Sequence, residues 1–301
     1  MKELLIISGK GGTGKTTIVG AFARLAKDSF PDEVIVLADC DVDAADLHLI
    51  LNPKIKTTNE FFGLKKAVID ENKCDNCGEC IKVCRFNAIN VHEEQTKIDP
   101  ISCEGCTVCF HICPKQAISM EDVIAGHWFV SDTAYGPLVH ARLGVAEENS
   151  GLLVTEVRRE ARQIAETLDS RLIINDGPPG IGCPVISSIS GVDLALIVTE
   201  PTIAGIHDME RLYALAKGFD VKTVVCINKY DLDDKTSDNI EGFCKANNID
   251  VVGKIPFDKK VVESLVKGGL MIPPGCADHD AEGPAANAVR QLWTKTLNHL
   301  L

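Results

Sequence analysis

A chain of 301 residues, 45% hydrophobic and 25% charged, can bury one large core, or one core with a small module attached. A formal charge of −12 without a basic cluster excludes a general nucleic-acid binder, because a polyanion would be repelled. No apolar run reaches membrane-spanning length and no leader pattern precedes the first strand, so no stable membrane insertion is expected. The thirteen cysteines then read as metal or redox chemistry in a reducing cytoplasm, not as disulfides.

ELLIIS (3–8) is a buried-strand pattern that ends in a glycine-rich turn, and TTIVGAFARLAK (16–27) carries apolar residues at helical spacing. EVIVLAD (33–39) is a second strand, followed by the acidic CDVDAADLHLIL. Residues 126–151 read as an antiparallel hairpin or an irregular loop. Further strands fall at 171–176, 193–200, 222–228 and 249–256, with helical patterns near 154–168, 205–218, 237–247, 258–268 and 283–300. Short apolar strands alternating with helices imply βαβ units, hence an α/β fold with a doubly wound, mainly parallel sheet. Residues 1–65 and 123–301 form that discontinuous domain, and 66–122 are a small α+β insertion. The amphipathic NAVRQLWTKTLNHLL (287–301) is expected to pack on the sheet.

SGKGGTGKTT (8–17) satisfies G-x-x-x-x-G-K-[ST] through Gly9, Gly14, Lys15 and Thr16, between a strand and a helix as the motif requires. Gly9, Lys10, Gly11, Gly12, Thr13, Gly14, Lys15, Thr16 and Thr17 would wrap phosphate oxygens with backbone N–H groups. Lys15 reaches the outer phosphates, and the Thr16 hydroxyl binds Mg²⁺.

With Lys10 as a second lysine, the loop resembles the deviant Walker A loop of the MinD, ParA, Mrp and nitrogenase iron protein superfamily. The resemblance implies a slow P-loop ATPase that closes as a homodimer with ATP sandwiched at the interface. Lys10 would reach the other subunit's nucleotide, much as an arginine finger does. LADCDVD (37–43) matches the first switch, where Asp41 would orient the attacking water and Asp39 and Asp43 could assist Mg²⁺. DGPPG (176–180) matches the second, with Asp176 near the Mg²⁺ shell. INKYDL (227–232) and the segment 255–269 match the base-binding region, with Asn228 on the purine edge and Pro256 beside it. Asn-Lys-Tyr-Asp also fits a guanine-reading pattern through Asp231; adenine is the usual base in this group, so ATP/ADP is favoured.

Cys74, Cys77, Cys80 and Cys84 form C-x₂-C-x₂-C-x₃-C, and Cys103, Cys106, Cys109 and Cys113 repeat it 29 residues later, as Ala117-Ile118 repeat Ala88-Ile89. This internal duplication resembles the bacterial two-cluster ferredoxin, which implies two [4Fe–4S] clusters with crossed ligands. Cys74, Cys77, Cys80 and Cys113 would hold one; Cys103, Cys106, Cys109 and Cys84 the other. So small a module would need its iron to fold. Structural zinc is the competing reading, though zinc sites usually pair two C-x₂-C knuckles. Arg85 stands where a proline is expected after the first set, which leaves the ligands intact.

Cys183 lies seven residues after Asp176, the offset of an intersubunit cluster ligand in the nitrogenase iron protein; a buried packing role is preferred, as for Cys40, Cys226, Cys244 and Cys276. His111, His127, His140 and His207 lack metal-pair spacing. Three functions fit these features. The first is an ATPase that gates electron transfer to an unidentified redox or iron–sulfur acceptor. The second is an Mrp-like cluster carrier, weakened by the missing C-terminal C-x-x-C. The third is a MinD/ParA-like positioning ATPase.

Overall fold

The computed structural model describes residues 1–144, 147, 149–273 and 283–301. Its first elements are β1 (Lys2–Ser8), α1 (Lys15–Ser29), β2 (Ile35–Asp39), α2 (Leu47–Leu51), β3 (Lys54–Phe62), β4 (Lys66–Ile69), α3 (Glu79–Val83), β5 (Ile89–His92), β6 (Gln95–Ile98), α4 (Val108–Ile112) and β7 (Ile118–Glu121). Then come β8 (Ile124–Thr133), β9 (Gly136–Leu143), α5 (Ser150–Thr167), β10 (Leu172–Pro179), α6 (Cys183–Ile189), β11 (Leu194–Thr199) and α7 (Ile203–Gly218). The chain closes with β12 (Lys222–Asn228), a 3₁₀ turn (Tyr230–Leu232), α8 (Asp234–Ala246), β13 (Asp250–Ile255), α9 (Lys259–Val266) and α10 (Pro284–Leu300).

Nine strands make one sheet in the order β13-β12-β11-β1-β10-β2-β9-β8-β3. The pairs from β13 through β1 and β10 to β2 and β9 are parallel. Because successive side chains leave opposite faces, a strand buried on both faces must be apolar throughout, as β1 is. Leu4 and Ile6 join one core with Phe22 of α1 and Leu292 and Trp293 of α10. Leu5 and Ile7 join the other with Val185 of α6, Met209 of α7 and Ile240 of α8. The C-terminal helix therefore packs on the sheet, its Trp293 edge-on to Phe22 with ring centroids 4.9 Å apart. One polar cluster crosses this interior. Glu3 accepts from Arg158 at 2.7 Å, Arg162 at 2.6 Å and Asn175 at 3.1 Å, satisfying a buried carboxylate.

Residues 124–143 form the hairpin alternative, β8 and β9 joined through Ala134 and Tyr135, with β9 beside β2.

The chain folds as two compact units. The first is Met1–Thr58, Trp128–Arg142 and Ser150–Leu301; the second is Asn59–His127 with Leu143–Asn149, and contains the whole cysteine region. In the second unit β4 pairs antiparallel with β7, and β5 with β6. The sequence repeat is also a backbone repeat. The left-handed residues Asn76, Gly78 and Asn87 recur 29 positions on as Gly105, Thr107 and Gln116. The Asp70 N–H donates to Ala117 O and the Asp99 N–H donates to Ala88 O, both at 2.7 Å, so each half bonds the other through equivalent residues. That reciprocity marks a pseudo-twofold relation between the halves.

Candidate functional site

In parallel α/β sheets, ligands bind at the carboxyl ends of the strands, and here the loop after β1 frames such a site. Gly12 (φ 79°) and Gly14 (φ 86°) are left-handed, a conformation that only glycine adopts without strain. A Cβ on Gly9 would lie 2.1 Å from the Asp208 Cβ, and one on Gly14 2.6 Å from the Asn228 amide nitrogen. The loop is tied down from outside: Asn228 Nδ2 donates to Thr13 O at 2.7 Å and Lys229 Nζ to Gly12 O at 3.3 Å. Gly14 caps α1 without a side-chain hydrogen bond, and the first turn holds no acidic residue. The helix thus presents bare N–H groups and its positive end to an anion.

The chamber at this point has a volume of about 450 Å³, within the range of small-molecule sites. Gly11 through Thr17, Asp41, Asn228 and Pro256 line it; Gly9, Lys10 and Asp176 do not. Val261, Val262, Leu265 and Met271 add an apolar part to its lining. Val261, Val262 and Leu265 fall in the segment 255–269 that the sequence assigned to base binding, whereas Met271 lies beyond it and carries no motif.

Lys15 is buried and lies 2.6 Å from Asp176 Oδ1 and 3.8 Å from Asp41 Oδ2. Burial works against its ammonium, but Asp176 and then Asp41 and Asp39 outweigh it and raise the pKa. Asp176 Oδ2 is buried with no hydrogen-bond partner. This orphaned oxygen, beside the Asp41 carboxylate and the Thr16 hydroxyl that accepts from Lys15 Nζ at 3.4 Å, fits the donor chemistry of a hard divalent cation. Asp41 is pushed up to about 6, by burial first and by Asp176 in part, against the pull of Lys15.

Three of the candidate residues are held by contacts within the chain. The Asp39 carboxylate is fully buried and accepts from the Asp41 N–H at 3.1 Å and the Leu47 N–H at 3.2 Å, which braces the turn after β2. Asn228 lines the chamber, its amide nitrogen donating to Thr13 O at 2.7 Å and its oxygen accepting from the Lys229 N–H at 3.0 Å, which leaves one N–H and one lone pair available. Asp231 accepts from the Phe257 N–H at 2.7 Å through one carboxylate oxygen and is not among the residues lining the chamber.

The cysteines gather around two hollows in the second unit. Cys74, Cys77, Cys80 and Cys113 line one, with Ile69, Pro114 and Ile118. Cys84, Cys103, Cys106 and Cys109 line the other, with Ala67, Phe86 and Ile89. Burial raises the thiol pKa of Cys80 and of its repeat counterpart Cys109. Among the described residues no three His, Cys, Asp or Glu side chains converge on a single-ion site. A [4Fe–4S] cube takes one thiolate on each of its four irons, so its ligands stand wider apart than those of one ion. Eight thiols in two sets of four fit such cubes by donor chemistry.

Cys183 is exposed, not buried in the core, because it begins α6 at the surface after β10. Cys40, Cys226 and Cys244 are buried, and burial raises all three thiols. Cys276 lies outside the described residues.

The chain belongs to the CobQ/CobB/MinD/ParA nucleotide-binding family, whose model matches residues 4–271. It is 34% identical to an uncharacterised protein of Methanocaldococcus jannaschii over 97% of this chain and 95% of that one. Among solved structures it resembles MinD of Pyrococcus horikoshii complexed with Mg-ADP, at TM-score 0.55 and 17% identity, covering 98% of this chain and 95% of that chain. It also resembles MinD in the MinC:MinD cell division complex of Aquifex aeolicus, at TM-score 0.58 and 18% identity, covering 99% and 96%. Among the described residues no helix is long and apolar enough to cross a membrane.

Proposed function

We propose that the protein is a MinD/ParA-like ATPase that alternates between monomer and ATP-closed dimer and passes its nucleotide state to a partner. The observation that carries this reading is the uncapped start of α1 over the chamber, with Lys15 held against Asp176. Triphosphate entering the chamber offers Lys15 more negative charge than the carboxylate does, so Lys15 moves to the outer phosphates and Asp176 is freed. Mg²⁺, when bound, neutralises charge on the phosphates, and Thr16 and Asp176 are the residues that would hold it or its water shell. Asp41, ionised, orients the attacking water. Lys10 reaches the phosphates of the second protomer.

The relatives favour this reading over electron transfer, since two of them are septum-site and cell-division proteins. Isothermal titration with Mg·ATP and Mg·ADP, paired with phosphate release, tests it: no nucleotide binding would sink it.

A second reading adds chemistry to the same switch and rests on the two four-cysteine hollows with their crossed membership. Cys74, Cys77, Cys80 and Cys113, and Cys84, Cys103, Cys106 and Cys109, would hold two [4Fe–4S] clusters, which supply one-electron transfer when bound. Iron and sulfide counts with EPR on anaerobically prepared protein test this separately. Zinc in place of iron would end it.

A further inference from the structure

We propose that Glu200 is a positioning residue that latches Lys10 inside its own protomer and releases it only to the triphosphate of a second copy. The inference rests on the dimer reading above and names the group that regulates it. Lys10 Nζ lies 3.1 Å from Glu200 Oε2, while Lys229 Nζ lies 2.6 Å from Oε1 of the same carboxylate. Glu200 follows the last residue of β11, and its side chain is 12% exposed against 37% for Lys10. The carboxylate therefore sits on the rigid sheet, while its lysine partner sits on the phosphate loop at a reachable surface. Thr202 caps α7 by accepting from the Gly205 N–H, which fixes the backbone just past Glu200.

Sharing the carboxylate makes the latch reversible. A lone partner leaving a half-buried glutamate would strand an unpaired charge. Here Lys229 stays on Oε1, and its own bond to Gly12 O keeps it in place. Glu200 thus remains neutralised after Lys10 departs. Free in solvent, Lys10 would sweep the arc of a flexible four-carbon stem; held on Glu200, it is kept from stray anions. A γ-phosphate presented across the dimer carries more charge than one shared carboxylate, so it draws Lys10 away, and ADP lacks that group. Glu200 consequently sets how much ATP is needed for closure.

The test uses Glu200→Gln, which keeps shape and removes charge, with Glu200→Asp as a second variant whose shorter side chain cannot span both lysines; melting curves check that each folds. The first readout is the acetylation rate of Lys10 under limiting acetic anhydride, in nucleotide-free protein, normalised to the other lysines by peptide mass spectrometry. It should rise about threefold or more once the ion pair is gone, and an unchanged rate overturns the proposal. The second is the ATP concentration at half-maximal dimerisation, which should fall by about fivefold, the upper range for a partly exposed pair. If the wild-type chain dimerises with ATP and the Glu200→Gln midpoint is unshifted or higher, the latch fails while the dimer reading stands. If the wild-type chain never dimerises, both fall together.

Discussion

The pKa of Asp41 ties the proposed hydrolysis to a pH profile. Its carboxyl is raised from 3.8 to about 6, by burial first, with Asp176 adding repulsion and Lys15 at 3.8 Å pulling the other way. If Asp41 must be ionised to orient water, activity follows its charged fraction. A group titrating near 6 is about one-tenth ionised at pH 5 and about nine-tenths ionised at pH 7. kcat/KM reports the free enzyme, so it should rise roughly tenfold over that interval, with an inflection near 6. The assay is phosphate release at subsaturating Mg·ATP in constant-ionic-strength buffers, beside an Asp41→Asn variant that should be slow and flat with pH. A wild-type profile flat between pH 5 and 7, or an inflection that persists in the variant, refutes the assignment. On folding, the same shift acts with its own sign. The raised carboxyl contributes stability that is full below 3.8 and lost as pH rises through about 6. The ligand-free chain should therefore melt higher at pH 5 than at pH 7 as far as this group acts, the reverse of the activity trend.

Glu3→Gln removes the charge that neutralises buried Arg158, so it should cost about 3–5 kcal/mol, or roughly 5–8 °C in a thermal melt; a shift under about 2 °C contradicts the network. Gly9→Ala forces a Cβ into Asp208 and should lower ATP affinity by at least about tenfold by titration. Unchanged affinity would show that the loop need not approach α7 so closely. The cysteine sets can be sorted by paired variants. With crossed ligands, Cys74→Ser/Cys113→Ser disturbs only one cluster and keeps about four of about eight irons, whereas Cys74→Ser/Cys84→Ser disturbs both. Iron counts in the opposite order would mean that each repeat holds its own cube.

The parallel sheet was legible because strands buried on both faces are written as unbroken apolar runs, β1 and β11 above all. The phosphate loop was legible because Gly9, Gly14, Lys15 and Thr16 fill its fixed positions, and the backbone is left-handed at Gly14. Strand β3 was not, since KIKTTNEFF at the sheet edge is mostly exposed and carries no continuous apolar face. Helix α6 was also hidden: seven residues beginning Cys-Pro give too short a period to read. At the site, residue types announced Lys15, Asp41 and Asp176, but not their mutual pairing. Asn228 was picked out by a base-reading motif, but its tie to Thr13 O, which braces the loop, had no signal in sequence. Glu200 had no local signal at all, because its partner Lys10 stands 190 residues away in the chain and only the sheet brings them together. The 29-residue repeat fared better. Left-handed positions recur with the cysteines, so spacing and backbone agree.

The central claim, a nucleotide-driven change between one copy and two, is tested most directly by measuring mass in solution with no nucleotide, Mg·ADP and Mg·ATP, using sedimentation velocity. Particles of 32.5 kDa are expected in the first two conditions and twice that mass with Mg·ATP, lost again in Lys10→Ala. A single mass under all three conditions, or a dimer that forms equally well with Mg·ADP, would contradict it.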